Sequence, residues 1–449
     1  MSLGACRLNR CMVVSVAALW ASLNLSSCGS SKSPGTPASG LTDRVLVSQS
    51  VTSTSAFGSL VIINGFNDTV APVPRLGAGN SPGLMAISPA RNIVAAFDSG
   101  SNSVFSVNTV KESSLGGQVR LPGATASISV PTSSPVGYAA VPTATVSGFN
   151  VLGAVEVMNL TSGSISTTIP VTNAQTLVAN QDGSQLVVFS NDSDSVTLLA
   201  PSRALPGIDA SCFTTTTSNI CTIIPGFDRP VYAVINGTTA YILNCGAECG
   251  GTQASVQTLD LVTNAMGTPV PVNGATYAFL SGTNLYVAGD GTPSGPLCAS
   301  IPNAAQTAAT HCGTLDIVDL ATMTDTTITS PIAIPDGYHD RMDMSINGQL
   351  FIGSRDCTNV GDVNNPAGEV RGCLAILNTT TGAVIYPPDN GNVDGLQSFN
   401  TRLVEYVAEG GNLRVYDTTQ DILLINEFIP LGTITVVGYV DDVKAIDFF

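Results

Sequence analysis

Charge, histidine and tryptophan are scarce in this chain of 449 residues. Charged side chains make up 11% of it, 16 Lys and Arg against 32 Asp and Glu. The basic residues form no cluster able to displace counterions from a phosphate backbone, which argues against nucleic acid as a partner. Two histidines, His311 and His339, leave few groups for proton transfer at neutral pH. With no paired C-x-x-C motifs beside them, they argue against a zinc site. The one Trp, Trp20, sits near the N-terminus, so the rest of the chain has no indole for stacking on a sugar. The G-x-S-x-G elbow, H-E-x-x-H, P-loop and dinucleotide-binding motifs are missing where their context would require them. The Asp- and Asn-rich stretches Ser190 to Ser195 and Asp362 to Glu369 lack EF-hand spacing, although their oxygens suit calcium. No cofactor and no metal site are expected.

What the chain has in quantity is Gly, Ser, Thr and Val, the composition of short strands joined by tight turns. The formal charge of −16 reads as a solvated acidic surface that favours solubility. Length alone permits one large all-β domain.

The N-terminus has its own grammar. Arg7 and Arg10 precede the apolar run Cys11 to Leu23, which is shorter than the ~20 residues of a membrane-spanning helix. A positive start, a short apolar middle and a small-residue end describe a secretory signal peptide, expected over residues 1–27. The end, Leu25-Ser26-Ser27-Cys28, resembles the lipobox of bacterial lipoproteins. That resemblance implies cleavage before Cys28, diacylglycerol on Cys28 and attachment to a membrane. Gly29 after the cysteine implies the outer membrane in an organism that has one. Residues 28–43, rich in Ser, Gly and Pro, are expected to form a flexible tether, and residues 44–449 the folded domain.

Cysteine usage agrees with export. Of eleven cysteines, Cys6 and Cys11 leave with the leader and Cys28 carries lipid. The remaining Cys212, Cys221, Cys245, Cys249, Cys298, Cys312, Cys357 and Cys373 suggest four disulfides between nearest neighbours.

A motif recurs along the domain: two or three apolar residues, then Asp or Asn, then a turn rich in Thr, Ser, Asn and Gly. The acidic or amide residue is Asn64, Asn108, Asn159, Asp260, Asp319, Asn378 and Asp417, and Ala200 stands in a degenerate copy. Such a residue bonds its own backbone two residues on and starts a turn after a strand. Most copies have two apolar strands before them and one after. Four short strands per unit of about 40 residues is the pattern of a β-propeller blade. Thr176 to Leu199, "TLVANQDGSQLVVFSNDSDSVTLL", resembles the repeat of the YVTN β-propeller family, and the similarity runs from about Arg44 to the C-terminus. The first unit, from "RVLVSQS", lacks an innermost strand, and "TITVVGYV" (Thr433 to Val440) has no unit of its own. The expected fold is therefore all-β, one propeller of eight four-stranded blades, with seven as the alternative, closed by the C-terminal strand completing the first blade.

Three of the cysteine pairs, 245–249, 298–312 and 357–373, fall between the second and third strands of successive units. In a propeller those loops share one face, so the stapled loops should crowd one sector of it. Near that sector lie His339, Arg341, Asp343, Arg355 and Asp356, the candidate ligand-binding or catalytic residues. His339 and Asp340 have the makings of a base and its orienter, but neighbours on a regular strand point to opposite sides. The reading is an exported, lipid-anchored binding or scaffolding module for an unknown protein or small molecule. The alternative is an extracytoplasmic enzyme acting on a small molecule at the central channel. Lactonases, lyases and dehydrogenases among related propellers imply this second reading, and a pocket gathering His339, Arg341, Asp343 and Asp356 would favour it.

Overall fold

A computed structural model describes residues 37–50 and 58–447, apart from 74, 133, 151, 292–297, 299–300, 302–311, 358–372, 388–390 and 426–438. The leader, Cys28, His311 and residues 362–369 lie outside them.

The motif residues do what their chemistry requires. In every Asp or Asn copy the side-chain oxygen accepts a backbone N–H two or three residues on. Asn64 accepts from Phe66, Asn108 from Lys111 and Asn159 from Thr161. Asp260 accepts from Val262, Asp319 from Ala321, Asn378 from Thr380 and Asp417 from Thr419. At Ala200, with no such oxygen, the hairpin gives way to a 3-10 turn, Pro201–Arg203, and an excursion that returns at Cys221–Pro225.

These turns join the strands into eight small sheets, arranged as the blades of a β-propeller. The innermost strands are Tyr439–Ala445 in blade 1, Pro82–Ile87, Ser127–Ser129, Ala174–Ala179, Pro230–Asn236, Tyr277–Ser281, Tyr338–Met344 and Val393–Phe399 in blade 8. Each blade alternates its side chains between two gaps. In blade 1, Val45 and Val47 pack against Tyr406 and Val415 of blade 8, while Leu46 packs against Val94 and Ala96 of blade 2. All eight gaps hold such an apolar cluster. A lone blade would leave both sides wet, so the ring is what makes this period-2 pattern stable.

Side chains stitch neighbouring innermost strands together around the channel. Asp442 accepts from the Met85 backbone N–H at 2.8 Å, and Asp343 from Ser398 at 2.6 Å. Ser127 accepts from Leu177, and Thr276 donates to the His339 carbonyl.

Closure occurs in blade 1 through the C-terminal strand, as the sequence pattern predicts, and the pairing runs past the expected end at Val440. The pairing strand is Tyr439–Ala445, antiparallel to Arg44–Ser50. Of the expected strand, Tyr439 and Val440 belong to it, and 433–438 lie outside the described residues. The strand continues through Val443 to Ala445 of the closing "VKAIDFF". Asp441 and Asp442 disguise the segment. Asp442 is fully buried because Met85, Val443 and Lys444 satisfy its carboxylate. The stretch expected as tether is held from Ser39 onward: Ser39 donates to Glu112 twice, and Leu41 packs beside Ile446.

The four nearest-neighbour cysteine pairs are disulfides: 212–221, 245–249, 298–312 and 357–373. The last three lie between second and third strands of blades 5, 6 and 7, on the face where the chain passes from blade to blade. Arg44, where the second strand of blade 1 begins, lies on the opposite face.

Candidate functional site

The channel mouth on the stapled face opens into a cavity of about 660 Å³, and every blade contributes to it. What aims the lining side chains is a repeated irregularity. The pairing between innermost and second strands slips by one residue near its start in blades 1, 2, 4, 5, 7 and 8. A bulge places an extra residue on one strand and re-aims its side chain. The residues in these bulges include Asp441, Leu84, Gln175, Val231, Asp340 and Asp394, and all of them line the mouth.

The lining is uneven. Blades 2 to 4 offer small, hydroxyl and aliphatic groups, among them Leu84, Ser127, Ile128, Thr176 and Val178. Blades 5 and 6 offer Tyr232 and Tyr277, stacked with ring centroids 4.5 Å apart. Among the described residues, every charged group lining the mouth belongs to blades 7, 8 and 1: Asp340, Arg341, Arg355, Asp394 and Asp441.

Those groups are interlocked. The Asp340 carboxylate pairs with Arg341 at 3.3 Å and with Arg355 more closely. Arg341 crosses to blade 8, donating from Nε to the Asp394 carbonyl at 2.7 Å. Its Nη2 makes no hydrogen bond to a described residue. The Arg355 guanidinium lies 5.7 Å from the centre of the Tyr338 ring, a cation–π contact. Two atoms of the cluster, Asp340 Oδ1 and Arg355 Nε, are buried without a hydrogen-bond partner among the described residues. On the acidic side, Tyr439 donates to Asp394 and the Ser50 N–H to Asp441. Burial pushes Asp441 up to about 7, with Asp394 adding to the effect. Burial also raises Asp394, against the pull of Arg355 and Arg341.

The five residues proposed from sequence part company here. Arg341 and Arg355 line the mouth. Asp343 lies deeper, bonded to Met344 and Ser398, with its pKa raised by burial. Asp356 is exposed on the rim, in left-handed conformation with φ of 57°. His339 is turned away from the channel, 1% exposed, with Nε2 at 2.9 Å from the Pro335 carbonyl. Burial pushes it down to about 4, so it is neutral. The residues that sequence reasoning missed are Asp394 and Asp441, together with the tyrosines. The bulges that aim the acids leave no mark in a period-2 pattern. Among the described residues, no group of three or more His, Cys, Asp or Glu side chains is placed to hold a metal ion.

No family model matches the sequence, and no curated protein matches it significantly. Many solved structures share the fold. A dihydro-heme d1 dehydrogenase, NirN, solved in complex with DHE, is 10% identical with a TM-score of 0.58, over 90% of this chain and 75% of that one. The computationally designed protein Ika8 is 9% identical with a TM-score of 0.51, over 83% and 96%. Hydrazine synthase of Kuenenia stuttgartiensis is 13% identical with a TM-score of 0.51, over 75% and 96%. At such identities the likeness is one of architecture, and chemistry has to be argued from the site.

Proposed function

We propose that this chain is an exported lipoprotein whose propeller is a non-catalytic binding module, taking a small ligand at the channel mouth. The observation that carries the reading is the mouth itself: eight blades converge on one cavity whose charged groups are braced against one another. A rigid, partly apolar cavity with a few placed polar groups is what a binding site requires. His339, the residue best suited to proton transfer, is buried away from it.

Export is supported by the Leu25 to Cys28 lipobox and by four disulfides, which form in oxidising compartments. The chain enters the propeller at Arg44, on the face opposite the mouth. A tether anchored at Cys28 would then hold that face toward the membrane and present the stapled face outward, to a ligand or to a protein partner.

A second reading has one observation in its favour. Asp441, held near 7 beside Asp394, is a carboxyl able to exchange a proton at neutral pH, as an enzyme acting at the channel would need.

Two measurements test these readings. Intact mass of the non-reduced protein from membranes should show residues 1–27 removed and diacylglycerol on Cys28; an unmodified Cys28 overturns the anchor. Native mass spectrometry after incubation with a small-molecule extract should show a retained compound that is lost in Arg341→Gln. Recovery of that compound unchanged supports binding, recovery of a transformed product supports the enzyme, and no retained compound overturns both.

A further inference from the structure

The mouth carries charge of both signs on one arc, and the two signs are not equally satisfied by the protein. Arg341 and Arg355 share the single Asp340 carboxylate, which leaves N–H donors of both guanidiniums without a hydrogen-bond partner among the described residues. Next along the arc, the Asp394 and Asp441 carboxyls have a phenol and one backbone N–H as hydrogen-bond partners, and no cationic side chain among the described residues lies within salt-bridge distance of them. The rest of the lining includes the aliphatic and hydroxyl groups of blades 2 to 4.

We infer that the mouth is built for a small zwitterion, a free amino acid or a di- or tripeptide, whose carboxylate lies on Arg341 and Arg355 and whose ammonium lies between Asp394 and Asp441. The inference rests on the reading of the mouth as a binding site and gives that site its ligand class. A guanidinium fork matches a carboxylate in two parallel hydrogen bonds. An ammonium between Asp394 and Asp441 would give both carboxyls a counter-charge in direct contact and would offset the burial, and the neighbouring Asp394 charge, that raise Asp441. The cavity, about 660 Å³, has room for more than the two ends of such a molecule. The apolar side chains of the ligand would meet Leu84, Ile128 and Val178. An anion alone would leave the two acids without an ion-pair partner, and a cation alone would leave the buried Arg355 Nε without an acceptor.

The test is calorimetric titration of the full chain, purified in detergent, with the dipeptide Leu-Phe and two capped forms. N-acetyl-Leu-Phe lacks the ammonium and Leu-Phe-amide lacks the carboxylate. The free dipeptide should bind, and each cap should weaken binding at least tenfold. Arg355→Gln should abolish discrimination against the amide, and Asp441→Asn discrimination against the acetylated form, with thermal unfolding of both variants checked against the parent. Equal binding of free and capped forms overturns the inference. So does a lack of binding by Leu-Phe and by a panel of free amino acids. If in that case a compound from the cell extract still occupies the mouth, the binding reading stands and the ligand class is wrong; if none does, both fall.

Discussion

Asp340 and Arg341 are consecutive on one strand, yet both side chains reach the channel, where carboxylate and guanidinium meet at 3.3 Å. The bulge between His339 and Arg341 makes this possible by taking Asp340 out of the alternation. Asp340 then holds two arginines in place. Its replacement, Asp340→Ala, should lower stability by about 1 to 3 kcal/mol, because two partly buried guanidiniums lose their counter-ion. Asp356→Ala on the exposed rim should change stability by less than about 0.5 kcal/mol. Urea unfolding of the two variants checks the contrast.

The same strand depends on the residue before it. Gly337 has φ of +94°, and a Cβ built there would sit 2.2 Å from the Arg355 carbonyl. Gly337→Ala should therefore destabilise through both backbone strain and a clash. Because the clash falls on Arg355, the substitution should also loosen the mouth. The expected result is a lower melting temperature together with faster amide exchange around 353–357, read by hydrogen–deuterium exchange.

Much of this architecture is legible in the sequence, and the reasons are local. Asn64 or Asp260 announces its hairpin because a short polar side chain after an apolar run has its own backbone to bond. The disulfides are legible because each pair brackets one loop. The mouth is not legible in this way. Asp394 and Asp441 look like turn or surface acids, and what brings them to the channel is a one-residue slip in pairing that a strand pattern does not record. His339 misleads for the opposite reason, since its neighbours suggest chemistry while the Pro335 carbonyl and the packing of blades 6 and 7 hold its ring inside.

Buried carboxyls give stability a direction with pH. Burial holds Glu156 at about 7, against an ordinary value near 4.5, with Thr168 as its hydrogen-bond partner. Asp316 is raised to about 6 for the same reason. In each case the folded state keeps a proton that the unfolded chain releases, so this contribution to stability is full below about pH 4 and is lost as pH rises through about 6 for Asp316 and about 7 for Glu156. His339, lowered to about 4, works the other way, and its contribution is lost as pH falls from about 6.5 to 4. Glu156→Gln keeps the shape and removes the ionisation. It should be more stable than the parent at pH 8 by about 1 to 3 kcal/mol, since each tenfold change in proton affinity is worth roughly 1.4 kcal/mol, and nearly equal at about pH 4. Equal effects at both pH values would show that Glu156 is not protonated in the native state.

The disulfides differ in access. Cys298 and Cys312 are both 1% exposed, and Cys212 and Cys221 are also buried, whereas Cys249 and Cys357 are half-buried. Mild reduction of the folded protein should open 245–249 and 357–373 first, detected by alkylation and peptide mass mapping. Cys298→Ala with Cys312→Ala should cost about 3 kcal/mol in the chain-entropy account, and the four-residue loop at 245–249 less.

Ring closure rests on Arg44 and Asp447, which are 403 residues apart in sequence. The Arg44 backbone N–H, Nε and Nη2 all donate to the Asp447 carboxylate, at 2.7, 2.9 and 2.6 Å. Nη1 reaches Glu112 of blade 2 at 2.9 Å, and Glu112 in turn accepts from Ser39. One buried guanidinium thus ties the start of the chain, its end and the next blade together. Breaking a buried pair by removing one partner leaves the other charge uncompensated, at a typical cost of about 3–5 kcal/mol. Arg44→Met strands Glu112 and Asp447 together and should be worse than Asp447→Asn, which keeps hydrogen bonding to Arg44. In a ring, blade 1 also covers sides of blades 2 and 8, so the loss should not stay local. Hydrogen exchange in Arg44→Met should rise in Ser59–Asn64, Ile93–Asp98 and Val404–Glu409 together. A rise confined to blade 1 would show that its neighbours hold their structure without the closure.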